Sequence, residues 1–256
     1  MTMIRFIAIT LLALAMAQST LAQDKRFLLP IPIGVSSPGA HGSVWTGEFT
    51  AYNAGRRTVR IETSNSLCVT LCPTGRWDVA VGETVSIFSE FPTILRIPSN
   101  GFSDPQVVPM NARIFDISRL SYDRGTELPI VAENEFRSGT LHLIGVPSEP
   151  GFRNTLRIYD WDGGEPRLVT VRMLDQRTGV EIGVRQVLLE QQVHGGGYFD
   201  FGYAQLDLGA VIPIAVSAHK VRFEIAGSGV SLRLWGFVSV THNETQRVTL
   251  ITPQPL

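Results

Sequence analysis

The chain has 256 residues, with 22 Lys and Arg against 23 Asp and Glu and a formal net charge of −1. A charge so balanced and dispersed excludes the electrostatic footprint of a nucleic-acid binder and the polybasic patch of a membrane-surface protein. The 24 glycines and 15 prolines are spread along a chain that is 44% hydrophobic, a composition that fits many short strands joined by tight turns.

The chain opens with an export signal. Arg5 supplies a positive start, Phe6 to Ala17 is apolar, and Thr20-Leu21-Ala22 offers a small-x-small cleavage site. An apolar run of about twelve residues is short of the ~20 that a spanning helix needs. The expected mature chain starts at residue 23, has no membrane span, and belongs in the periplasm, at the cell surface or in the medium.

Two stretches then repeat one phrase. Leu29-Pro30-Ile31 is followed by Trp45 to Gly55 (WTGEFTAYNAG) and by Thr58 to Ile61 (TVRI). Leu128-Pro129-Ile130 is followed by Arg153 to Gly164 (RNTLRIYDWDGG) and by Thr170 to Met173 (TVRM). Each copy sets an aromatic strand, a turn of Asn or Asp with Gly, and a second strand in one order. Val59 and Ile61 alternate with Thr58, Arg60 and Glu62, and Val169, Val171 and Met173 with Thr170 and Arg172. Period-2 alternation marks strands with one buried face.

Cys68 and Cys72 are the only cysteines. In an exported chain, two so close form one local disulfide most simply. So small a loop places its contribution at the low end of the usual ~2–4 kcal/mol. The spacing matches neither a redox CxxC pair nor a zinc site. A polar stretch at Arg119 to Glu127 suggests a boundary, giving modules at 23–120 and 121–256.

The second module carries strands near 139–145, 154–161, 168–175, 179–189, 219–226, 230–241 and 245–252. Val184 to Gln192 is the best helical candidate, and a long strand suits it as well. Asp160, Asp162 and Glu165 put three carboxylates around a Gly-Gly turn, hard oxygen ligands of the kind that Ca²⁺ takes. Solvated acids on a hairpin turn fit the pattern equally. Asp160 and Glu165 could also be drawn as the carboxylate pair of a glycosidase, given a separation of ~5–9.5 Å. His194 precedes a Gly triplet and Tyr198, which reads as a recognition loop. Leu232, Leu234, Val238 and Val240 share one face, so Trp235 and Phe237 face the other way. With Trp161 they form either an exposed platform for a sugar or a protein, or a buried interface. His41 and Ser43 sit together in a Gly-rich turn, where a catalytic pair rarely meets its acid. No G-x-S-x-G elbow is present. An outer-membrane barrel would need wholly apolar outer faces, and these strands carry Arg60, Glu62, Arg172, Lys220, Arg222 and Glu224 on theirs.

Two stretches, Leu28 to Gly55 and Leu232 to Gln254, carry a resemblance. The chain resembles a group of exported β-rich proteins of environmental bacteria that share a Pro-Gly-Ala-x-Gly-Ser-x-Trp opening (Pro38 to Trp45) and a Val-Thr-x-Asn-x-Thr-Gln closing strand (Val240 to Gln246). The likeness covers most of the mature chain. It implies export and a β-sandwich fold, and no activity, cofactor or site residue. The expectation is therefore an all-β protein of two immunoglobulin-like or jelly-roll-like sandwich modules behind a signal peptide. Its expected role is non-enzymatic, structural or binding, with a protein or carbohydrate ligand; the alternative is a secreted hydrolase acting on polysaccharide or peptide.

Overall fold

The computed structural model describes residues 24–63, 75–89, 92–99, 108–118, 125–163, 165–192, 201–210, 220–227 and 232–254. Residues 1–22, expected to be an export signal, Cys68 with Cys72, and His194 with Tyr198 lie outside the described residues. What is described is all-β, in three antiparallel sheets with a few 3-10 turns. No helix among the described residues is long and apolar enough to cross a membrane.

The first sheet runs, in spatial order, β10 (Val131–Ala132), β1 (Lys25–Leu29), β7 (Thr93–Ile97), β4 (Val59–Thr63) and β5 (Arg76–Val79). The second runs β2 (Ser36–Pro38), β3 (Val44–Tyr52), β8 (Met110–Asp116) and β9 (Thr126–Leu128), with β6 (Thr84–Ser86) paired to the far end of β3. Alternation decides what they bury. Val59 and Ile61 of β4 and Phe49 and Ala51 of β3 are buried in one core with Leu28, Leu29, Leu95 and Ala112. Strands β9 and β10 belong to these sheets, pairing with β8 and β1. Pairing passes to the third sheet between Ala132 and Leu141, beyond the polar stretch at 119–127.

The third sheet has eight strands. Its order is β11 (Leu141–Pro147), β16 (Lys220–Gly227), β13 (Arg167–Asp175), β14 (Glu181–Gln192), β15 (Phe201–Asp207), β12 (Phe152–Asp160), β17 (Leu234–His242) and β18 (Val248–Ile251). It curls until β11 approaches β17 and β18, so it is nearly a closed barrel. The described strands from β11 to β18 therefore make one curled sheet, where the sequence pattern suggested a sandwich of two. A single sheet that curls this far covers its own apolar face and hides most of its edges. Leu143, Leu156, Ile158, Val169, Leu189, Val221, Phe223, Ile225, Leu234 and Val238 fill its interior. Val184 to Gln192 is strand, not helix: β14 runs beside β13 with Val187 opposite Val169 and Leu189 opposite Arg167. Strand β15 has little alternation to mark it in the sequence, because Gly202 and Ala204 dilute its apolar face.

The outer face of the third sheet packs against the first two sheets. On β12 the outward row is Arg153, Thr155, Arg157 and Tyr159, opposite Thr241, Ser239, Phe237 and Trp235 of β17. The row changes character along its length, polar at one end and aromatic at the other. The aromatic end is sunk into the core of the first two sheets, where Tyr159, Trp161, Phe201, Trp235 and Phe237 join Leu28, Ile31 and Phe49 in one apolar cluster.

Candidate functional site

Trp161, Trp235 and Phe237 are only 5%, 4% and 1% exposed. They are interface rings rather than an open platform, because the first module covers the face that they share. Tyr159 is at their centre, fully buried, stacked on Phe237 with ring centroids 6.5 Å apart. Its hydroxyl donates to the Pro30 carbonyl, so the second copy of the repeated phrase is bonded to the first. Desolvation holds the Tyr159 phenol well above its usual pKa.

The repeated turn has a defined role. In each copy Tyr is followed by a buried Asx, Asn53 at 1% exposure and Asp160 at 0%. The Oδ1 of Asn53 accepts the Gly55 N–H at 2.9 Å, and that of Asp160 accepts the Asp162 N–H at 3.2 Å. Each is an Asx turn. Neither turn closes a hairpin: β3 and β4 lie in different sheets, and β14 and β15 separate β13 from β12. The phrase is thus a device for turning the chain from one wall to another. At the second turn a Cβ on Gly163 would sit 2.1 Å from the Gly202 nitrogen, so only glycine fits there.

The acidic cluster read as a metal candidate has partners of its own. Asp162 is held by Arg233 in a two-pronged pair, with Nε–Oδ2 at 2.8 Å and Nη2–Oδ1 at 2.6 Å. Arg233 also reaches Glu133 at 3.3 Å, and Glu133 takes Arg26 at 2.7 Å. Asp160 faces Arg167 at 3.3 Å, while its burial pushes its carboxyl above the usual range despite the bond from Asp162 and the Arg167 charge. Glu165 is exposed. Guanidinium groups occupy the space around two of the three carboxylates, and no group of three or more metal-type ligands occurs among the described residues. Of the His41–Ser43 pair, Ser43 donates to the Ala40 carbonyl and accepts Trp45 Nε1; elsewhere, His142 sits 4.0 Å from Glu224 on the polar face.

The polar end of the bridging face is where the structure leaves room. A cleft of about 550 Å³ lies between the second sheet and the outer face of β12, β15 and β17. Arg153, Thr155, Arg157, Tyr203, Gln205, Ser239 and Thr241 form one wall. Pro32, Val35, Pro38, Trp45, Ile114 and Leu128 line the other. Arg157 lies over the Phe237 ring at 5.5 Å and donates from Nη1 to Ser239 Oγ at 3.0 Å. Arg153 donates to Gln246 Oε1 at 2.6 Å and to Asn243 Oδ1 at 3.4 Å. Tyr203 donates to Gln205 Oε1 at 2.8 Å, and burial raises its phenol pKa while Arg157 opposes the shift.

Sequence reasoning passed over these residues because each sits singly in an ordinary strand. Their only shared signal was parity: Arg153, Thr155 and Arg157 fall on the face of Tyr159, and Ser239 and Thr241 on that of Trp235 and Phe237. No family model matches the chain, and no curated protein matches it. A solved structure of infectious bursal disease virus (Gt strain) aligns over 91% of this chain and 78% of its own, at 11% identity and a TM-score of 0.14, a likeness too slight to carry an argument.

Proposed function

We propose that the chain is an exported, non-enzymatic binding protein that takes a carbohydrate in the cleft between its modules. In this reading the first two sheets form a sandwich of the immunoglobulin or jelly-roll style, and the curled third sheet supplies the polar wall. The observation that carries the proposal is the composition of the 550 Å³ cleft: hydroxyl, amide and guanidinium groups face an apolar wall that includes the Trp45 ring. Sugar rings present hydroxyls at their edges and C–H groups on their faces, and such a pair of walls serves both. Two firmly packed modules hold the walls without ligand, which limits the ordering cost of binding.

Isothermal titration of the secreted protein against a panel of neutral and acidic oligosaccharides tests this. At least one should bind and be recovered intact. Gln205→Trp, which puts a bulky ring at an exposed position of the cleft, should abolish binding with the melting temperature unchanged. A panel with no binder, binding that survives Gln205→Trp, or release of shortened sugars would overturn the proposal.

A further inference from the structure

The cleft has a charge that its own residues do not answer. Arg153 and Arg157 are its charged lining groups, and among the described residues no Asp or Glu lines it. Both arginines are half-buried, and they bond neutral groups: Gln246 and Asn243 for Arg153, Ser239 for Arg157. Two acids stand on the same outward face outside the lining: Asp207, opposite Thr155, whose Oδ1 accepts the Gly209 N–H at 2.9 Å, and the exposed Glu190, opposite Tyr203. Eight other arginines of this protein find carboxylates: Arg26, Arg60, Arg96, Arg113, Arg167, Arg172, Arg222 and Arg233. A guanidinium stays charged at any working pH. Drawing two of them half out of water without counter-charge costs free energy, which an anionic ligand recovers.

We infer that the ligand is an acidic polysaccharide of the uronate type, whose ring carboxylate is taken by Arg157 and Arg153. This rests on the reading of the cleft as a carbohydrate site and narrows its ligand class. The Phe237 ring beneath Arg157 and the Ser239 hydroxyl fix the plane of its guanidinium, so its remaining N–H groups keep one direction. A planar fork held in place matches a carboxylate in two-pronged fashion. The hydroxyls of Thr155 and Thr241 and the Gln205 amide lie along the same wall for the sugar's own hydroxyls. The opposite wall offers the Trp45 ring to a sugar face.

The test uses oligogalacturonate and the same oligomer with its carboxyl groups reduced to alcohols, both titrated into the wild-type protein. The acidic oligomer should bind about 10- to 100-fold more tightly, as the loss of one charge-assisted bond implies. Its affinity should fall as salt rises, while that of the reduced oligomer should hold. Arg157→Gln should bring the acidic oligomer down to the reduced one, and Arg157→Lys should keep part of the difference. If Arg157→Gln fails to fold, Arg153→Gln and the two-ligand comparison decide. Equal affinity for both oligomers overturns the inference and leaves the carbohydrate reading standing. No binding of either, with none from the neutral panel, overturns both. A polyglutamate peptide that binds as tightly as oligogalacturonate overturns the saccharide assignment.

Discussion

The bond from Tyr159 to Pro30 gives the sharpest test of how the modules are joined. Tyr159→Phe removes one oxygen and keeps the ring among Phe201, Tyr203, Trp235 and Phe237. The loss has two parts: a buried hydrogen bond of net ~1 kcal/mol, and a buried Pro30 carbonyl deprived of that donor, which brings the total to about 2 kcal/mol. For a chain of this size that is a fall in melting temperature of about 4–8 °C. Thermal unfolding followed by circular dichroism, with urea unfolding as a check, measures it. Tyr203→Phe is the control, because its hydroxyl bonds Gln205, an exposed side chain that water can serve as well. Its cost should stay below about 1 kcal/mol. Amide exchange should also quicken at Ile31 and Ile33 in Tyr159→Phe, since the segment beside Pro30 loses its tether. A Tyr159→Phe protein within about 0.3 kcal/mol of wild type would refute the reasoning, and with it the view that this hydroxyl pins one module to the other.

Asp160 has a folded pKa raised by burial. A raised acid contributes stability that is fully present below its unfolded pKa and is lost as pH rises through the folded one. Asp160→Asn matches the residue at the equivalent turn, Asn53, and keeps the acceptor for the Asp162 N–H. Its stability should therefore gain on wild type as pH rises from about 4 to 7; parallel pH profiles would refute this. Gly163→Ala should cost about 3 kcal/mol or more, since its Cβ meets Gly202 backbone rather than a movable side chain. A melting temperature equal to wild type would show that the turn has slack. Chelation by EDTA and addition of Ca²⁺ should both leave the melting temperature unchanged, because Arg233 holds Asp162 from two nitrogens. A rise with Ca²⁺ would mean that the ion displaces a guanidinium.

The legible part of the fold was local. Val59 and Ile61, or Val169, Val171 and Met173, announce a strand and its buried face without any partner, because neighbouring residues on a strand point to opposite sides. The same logic put Trp235 and Phe237 on the side away from Leu234 and Val238, and the structure agrees. Strand β14 was harder. Its apolar and polar residues fit two periods, and only the ladder with β13 and β15 settles which one applies. Strand β15, with its weak alternation, is held by β12 and β14 rather than by its own pattern.

The sequence by itself determined the strands with clear alternation, which face their side chains take, and that one phrase occurs twice. Those properties depend on chain stereochemistry over a few residues. Only the tertiary structure decided what each face meets. The outward row of β12 is one uninterrupted alternation, yet its Tyr159 end is core and its Arg153 end lines a cleft, because the first module covers one and stands away from the other. Asp160 and Asp162 likewise read in the sequence as a solvated or metal-binding turn; the fold sets Arg167 of the next strand beside the one and the remote Arg233 beside the other. Burial and charge pairing depend on which remote segments are brought together, and that is a property of the packed chain rather than of any window along it.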